Sequence, residues 1–190
     1  MKSTILKGIL IFALGGFSGL ASALVYQVNL AVGTGSAFGT ITTNSSFGVL
    51  SSADILDWNI RLDGNPGNIF TLFGPASGNN SNLVVSGSGF TATASTLNFD
   101  FSGLGYALFQ NPQNGSGINY LCFAGNLCGN YSNSINLGTS VFGVNGSAQK
   151  GNQVVATISP VPEPQTYAML LVGLGLIGFM GRRRKEDFSF

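Results

Sequence analysis

Between residues 24 and 160 the chain alternates apolar and polar side chains in short stretches, and turn-forming residues end each stretch before it reaches helical length. In Val25-Tyr26-Gln27-Val28-Asn29-Leu30-Ala31-Val32, an extended backbone puts Tyr26, Val28, Leu30 and Val32 on one face. Leu56, Trp58, Ile60 and Leu62 repeat the pattern, leaving Asp57, Asn59, Arg61 and Asp63 on the other face. Leu97, Phe99 and Phe101 do the same around Asn98 and Asp100. Further runs lie near 38–43, 47–50, 68–73, 82–86, 89–94, 106–109, 118–123, 141–144 and 153–158. Clusters such as Asp63-Gly64-Asn65-Pro66-Gly67-Asn68, Gly78-Asn79-Asn80 and Asn111-Pro112-Gln113-Asn114-Gly115 separate them, as turns require. No stripe of helical period runs through this region. A period of two in about ten short strands, each with one apolar face, implies antiparallel sheets packed face to face. The expected fold class is all-β, an antiparallel β-sandwich of jelly-roll-like form, with a closed barrel as the second choice.

The charges divide the chain into three pieces. Of eight cationic residues, Lys2 and Lys7 lie at the N-terminus and Arg182, Arg183, Arg184 and Lys185 near the C-terminus. Residues 24–160 hold only Arg61 and Lys150 against Asp54, Asp57, Asp63 and Asp100. A net charge of +1 with no basic cluster in the body excludes nucleic-acid binding, which needs Lys and Arg grouped against phosphates. The chain has no histidine, which removes the commonest general base and the commonest metal ligand. With 44% apolar residues the chain is able to bury a core and is not of the disordered class.

At the N-terminus, Lys2 and Lys7 precede an apolar run from Gly8 to about Leu20, and Ala21-Ser22-Ala23 follows. A helix of about 13 residues spans roughly 20 Å, short of a bilayer core of about 30 Å. Basic segment, apolar segment and a small-x-small site at Ala21 and Ala23 mark residues 1–23 as a signal peptide. Signal peptidase and the export machinery are the partners this implies. The mature chain is expected to start at Leu24.

Export bears on Cys122 and Cys128, the only cysteines. In an oxidising compartment two cysteines separated by five residues most simply form a local disulfide. Redox dithiols usually carry Cys-x-x-Cys spacing, and no histidine or further cysteine completes a zinc site, so neither a metal nor a cofactor is expected. An Asp pair suits glycoside hydrolysis, but Asp57 and Asp63 sit on the polar face of one strand, where Asp57 is placed to pair with Arg61. The 63–68 segment offers oxygens to Ca²⁺ yet lacks the full Asp-x-Asp-x-Asp-Gly frame, and reads as a turn. Exposed Tyr or Trp side chains would stack on sugars, but Trp58 lies on an apolar face and is expected in the core. The body is expected to be non-enzymatic.

The third piece, residues 161–190, opens with Val161-Pro162-Glu163-Pro164, whose alternate prolines hold it extended. An apolar segment from Tyr167 to Gly181 follows and ends on Arg182, Arg183, Arg184 and Lys185. An apolar helix closed by four cations is a stop-transfer signal with its basic end retained in the cytoplasm. At about 15 residues, roughly 22 Å, it is short for a permanent anchor, which suits a short transmembrane helix held only for a time.

Pro162-Glu163-Pro164, the short apolar helix and the basic end, in this order, resemble the PEP-CTERM sorting domain of bacterial exported proteins. The resemblance covers about residues 161–185 and implies recognition of Pro162, Glu163 and Pro164 by exosortase, an integral-membrane cysteine protease or transpeptidase. Gly39-Thr40-Ile41-Thr42-Thr43 and Ala53-Asp54-Ile55-Leu56-Asp57-Trp58 look like segments of many such proteins. The family association implies an inner-membrane intermediate, then the cell-envelope surface or the extracellular biofilm matrix. A carbohydrate-binding module acting on exopolysaccharide is the alternative role for the body.

Overall fold

In the computed structural model, residues 23–64, 68–112, 118–126, 128, 132–139, 142–158 and 169–176 are described, with backbone alone for 142–145. The chain divides into two compact units, Met1–Ile158 and Ser159–Phe190.

The first unit is built of strands: β1 (Leu24–Val32), β2 (Gly35–Thr43), β3 (Gly48–Val49), β4 (Ile55–Asp63), β5 (Ile69–Phe73), β6 (Asn82–Gly87), β7 (Phe90–Ala92), β8 (Thr96–Asp100), β9 (Gly105–Asn111), β10 (Asn119–Ala124), β11 (Ser134–Thr139), β12 (Phe142–Ala148) and β13 (Asn152–Ile158). They form two antiparallel sheets, one in the order β3-β7-β8-β13-β1-β2-β4-β5 and the other β12-β11-β10-β9-β6. Hairpins account for the local pairings, as in β1–β2, where Val32 lies opposite Gly35 and Leu24 opposite Thr43 across the turn at Gly33, whose φ is +59°. The β13–β1 pairing, in contrast, joins strands more than a hundred residues apart and places Tyr26 opposite Ile158.

The apolar faces of both sheets enter one core. Tyr26, Val28 and Val32 from β1, Ile60 and Leu62 from β4, and Leu97, Phe99 and Phe101 are buried there, as the alternation demands. Across the sheets, Phe123 of β10 stacks on Phe90 of β7 at a centroid distance of 6.1 Å, and Trp58 of β4 meets Phe109 of β9 edge-on at 5.5 Å. Burial of each such ring contributes roughly 1.5–3 kcal/mol, so these contacts hold the layers together.

One alternation breaks. Leu56 is 46% exposed and Ile55 is buried instead. The β2–β4 register explains it: Thr42 faces Asp57 but Thr43 faces Ile55, so Leu56 is an extra residue in a β-bulge. A bulge shifts the period by one, and every residue before it changes face. Strand β11 was not signalled by any apolar run. Its outward positions carry Ser134, Asn136 and Gly138, and Asn136 is fully buried with its amide donating to Ser134 Oγ at 3.0 Å.

Gly39 on β2 has φ +144° and lies against the backbone of β4. A Cβ at this position would collide with the Asn59 carbonyl and come within 3.0 Å of Ile60 Cα. Gly39–Thr43 and the Ile55–Trp58 part of β4 thus lie in adjacent strands, with Ile41 opposite Trp58 and Gly39 supplying the close approach between them.

Candidate functional site

Three of the four carboxylates of the body hold turns. Asp54 closes the single 3₁₀ turn Ser52–Asp54, accepting from Ser51 N at 2.8 Å, Ser51 Oγ at 2.7 Å and Asn44 Nδ2 at 3.0 Å. These donors, the Ser51 amide foremost, lower its pKa from the ordinary Asp value. Asp100 accepts from Ser102 Oγ at 2.5 Å and Ser102 N at 2.9 Å, and that hydroxyl, then that amide, lower its pKa likewise.

Asp57 corrects an expectation. Its partners are not on its own strand: it accepts from Ala76 N at 3.0 Å, Ser77 N at 3.2 Å and Ser77 Oγ, so the pairing anticipated with Arg61 is replaced by a cap on the turn after β5. Gly74 makes this possible. Its amide bonds Trp58 O at 2.7 Å, and a Cβ there would collide with Asp57 and the Trp58 backbone. Asp63, at the end of β4, has one carboxylate oxygen buried without a partner. Among the described residues no group of three or more His, Cys, Asp or Glu converges as metal ligands would.

Several aromatic side chains serve the interior, although Phe38 and Phe47 are exposed. Trp58 is 5% exposed and donates its indole N–H to Ser81 Oγ at 2.8 Å. Tyr26 is buried and donates its hydroxyl to Thr93 O at 2.6 Å. The Tyr120 ring lies over Gly138 of the neighbouring strand, filling the space a side chain would take. An open cleft of about 530 Å³ does exist where β12 turns into β13, lined in part by Ser102, Asn133, Gln149 and Lys150.

Cys122 of β10 and Cys128 are joined sulfur to sulfur, with Cα atoms 6.4 Å apart. With Ala124 they form a small buried cluster on the face of β10 away from the main core, packed by Tyr106, Leu108 and Tyr120. The loop they staple is also tied by Gly105 N to Asn126 Oδ1 at 2.8 Å and Gly125 N to Gly105 O at 3.0 Å.

Of the terminal signals, residues 1–22 and 159–168, hence Ala21, Pro162, Glu163 and Pro164, lie outside the described residues, as do Arg182, Arg183, Arg184 and Lys185. Ala23 is exposed and directly precedes β1. In the second unit residues 169–176 are helical with most side chains exposed, and space is open around Gly173 and Gly175. Among the described residues no helix is long and apolar enough to cross a membrane.

The PEP-CTERM protein-sorting motif family matches residues 160–185, starting one residue before the segment read from the sequence. The chain therefore carries a PEP-CTERM sorting signal, which implies an exported protein processed by exosortase and destined for the cell envelope or the exterior. No curated protein and no solved structure matches the chain.

Sequence reasoning missed the residues that join distant turns. Asn80 and Ser81 both bond β5, and Ser52 bonds β6. Their type was visible as turn composition, but their partners lie up to 33 residues away.

Proposed function

We propose that this chain is a non-enzymatic structural protein of the envelope surface or extracellular biofilm matrix, made as a precursor and released by exosortase. The observation that carries the reading is the sorting signal at 160–185, where Pro162-Glu163-Pro164 precedes an apolar run and Arg182–Lys185. Four cations each resist insertion by a few kcal/mol, so the helix stops with its basic end inside. Its short length then draws the triplet against the outer face of the membrane. Prolines keep the triplet out of helix and sheet, leaving its backbone open to an active site. Glu163 offers the charge that a pocket reads.

Two observations support the rest of the reading. Leu24, the first residue after the signal-peptidase site at Ala23, is also the first residue of β1, so cleavage there leaves the sheet whole. Three of the four carboxylates of the body are engaged in turns, which suits a structural role. We read the two sheets as a jelly-roll-like sandwich spanning residues 24–160, with 1–23 as signal peptide and 161–190 as the sorting segment.

Mass spectrometry of the exported protein tests the processing. Glu163→Ala is expected to leave uncut, membrane-bound precursor. A mature wild-type chain that retains residues 166–190 would show that the tail is a plain anchor.

A second reading, a module binding exopolysaccharide, is favoured by the cleft beside Lys150, whose amides and hydroxyls suit sugar hydroxyls. Retention of the wild-type protein on exopolysaccharide, lost on Gln149→Ala, would select it over the purely structural role.

A further inference from the structure

The outer faces of the two sheets differ. On the smaller sheet that face is closed over β10 and β11: Cys122, Ala124, Ser134 and Asn136 are buried, and the amide of Asn136 donates to Ser134. On the larger sheet it is open. Thr157 of β13 lies opposite Gln27 of β1, Gln27 opposite Thr40 of β2, Thr40 opposite Asn59 of β4, and Asn59 opposite Phe73 of β5. Opposite residues of an antiparallel pair point to the same side, and the sequence neighbours Tyr26, Ile41, Trp58 and Ile60 point into the core. The row therefore faces outward across adjacent strands from β13 to β5, roughly 19 Å at about 4.8 Å per strand.

No member of this row is charged, and Gln27, Asn59 and Thr157 are exposed. Among the described residues the side chains of Gln27, Thr40, Asn59 and Thr157 form no hydrogen bond. Polar side chains elsewhere on the body are tied down, as Asp57 is to Ser77 and Asn80 to Phe73 and Thr71. Each free amide offers donors and an acceptor, and each free hydroxyl one donor and two lone pairs. Beside the row, two residues along β2 from Thr40, Phe38 is 42% exposed, with Asn29 opposite it on β1 and Arg61 opposite it on β4.

We propose that this face binds a neutral, extended polysaccharide chain laid across the strands. A neutral sugar presents hydroxyls around its ring, which bond amides and hydroxyls, and an apolar C–H face, which covers an aromatic ring such as Phe38. Strand spacing is close to the rise of one sugar in an extended, cellulose-like chain, so successive sugars meet successive strands. A peptide would instead seek the unpaired backbone of a sheet edge, and β13, β1, β2 and β4 each have a neighbouring strand on both sides. With no charge in the row, binding needs no ion pair and is insensitive to screening by salt. The proposal does not rest on the cleft beside Lys150 or on processing of the tail, and shares with the second reading only the class of ligand.

Retention of the full chain, in micelles of a sugar-free detergent, on amorphous cellulose across a concentration series tests the face. Insoluble starch serves as a coiled neutral chain and alginate beads as an extended acidic one. Retention is expected on cellulose, undiminished in high salt, and weaker on starch and alginate. Replacing two free amides together, Gln27→Ala with Asn59→Ala, should weaken it about tenfold with unchanged circular dichroism, since neither amide bonds the fold. Phe38→Ala should weaken it as well, and Gln149→Ala, in the cleft, should not. No retention on cellulose overturns the proposal, and so does equal retention on starch. Retention that survives both the double substitution and Phe38→Ala overturns it too; if that retention is lost in Gln149→Ala, the polysaccharide lies in the cleft and the second reading stands without this one. Should the double variant misfold, NMR of the wild type decides: the side-chain amide signals of Gln27 and Asn59 must shift on adding a soluble cello-oligosaccharide, and unshifted signals overturn the proposal.

Discussion

Gly39→Ala isolates what holds the middle of the larger sheet. Gly39 combines a φ of +144° with direct contact against β4, where an added Cβ would meet the Asn59 carbonyl group and lie 3.0 Å from Ile60 Cα. An L-residue held in such a conformation costs of order 1–3 kcal/mol. The neighbour here is backbone, so relief requires β2 and β4 to part, weakening one or two ladder hydrogen bonds worth about 1 kcal/mol each. The sum is about 2–5 kcal/mol. Gly48→Ala is the matched control, since Gly48 has φ +85° but nothing within 4 Å of an added Cβ, leaving strain alone at about 1–2 kcal/mol. Urea unfolding of residues 24–160 measures both. With a slope of about 2 kcal/mol per molar, Gly39→Ala should lower the midpoint by roughly 1–2.5 M and Gly48→Ala by no more than about 1 M. Equal shifts for the two variants would refute the close-approach argument, because the strain is shared and only the collision differs.

Two further outcomes follow from side-chain contacts. Cys122 and Cys128 should resist maleimide until a reductant is added, and reduction should lower stability by about 2 kcal/mol, the chain-entropy value for so short a loop; labelling of the untreated protein would contradict this. The pKa values of Asp54 and Asp100 are lowered on folding, so the unfolded chain takes up their protons first as pH drops. Their contribution is therefore complete above about pH 5 and is lost as pH falls through the unfolded-state and then the folded-state values, so the thermal midpoint should drop as pH falls below about 5, less steeply in Asp100→Asn. A midpoint flat over that range would show that the Ser51 and Ser102 contacts do not persist in solution.

The tail and the body differ in how much of them can be read along the chain. A sorting signal is met by its partner as a linear segment, so Pro162-Glu163-Pro164, the apolar run and Arg182–Lys185 carry their meaning in order and type, and the family match at 160–185 falls on the same residues. The body is different. Asp57 looked like half of an ion pair because Arg61 shares its strand face, yet a turn about 20 residues later reaches it first. Asn80 looked like an ordinary turn residue, and its role as a substitute for a missing strand exists only once β5 lies at an edge.

Alternation by itself determined that the body is made of strands and which side of most of them is buried, because successive side chains of an extended chain point to opposite faces whatever the neighbours are. It placed Tyr26, Trp58, Phe99 and Phe101 in the interior before any pairing was known. The tertiary structure alone decided the rest. The bulge that turns Ile55 inward and Leu56 outward arises from the register against β2. Strand β11 has only Ile135 and Leu137 as its core face, and the pairing with β10 and β12 satisfies its backbone, which lets Ser134, Asn136 and Gly138 be buried on the other face. The joining of β1 to β13 brings the two ends of the body together. Hydrogen-bond pairing between strands is nearly indifferent to side-chain identity, so which strands meet is set by the combined burial of both sheets and not by any local run of residues.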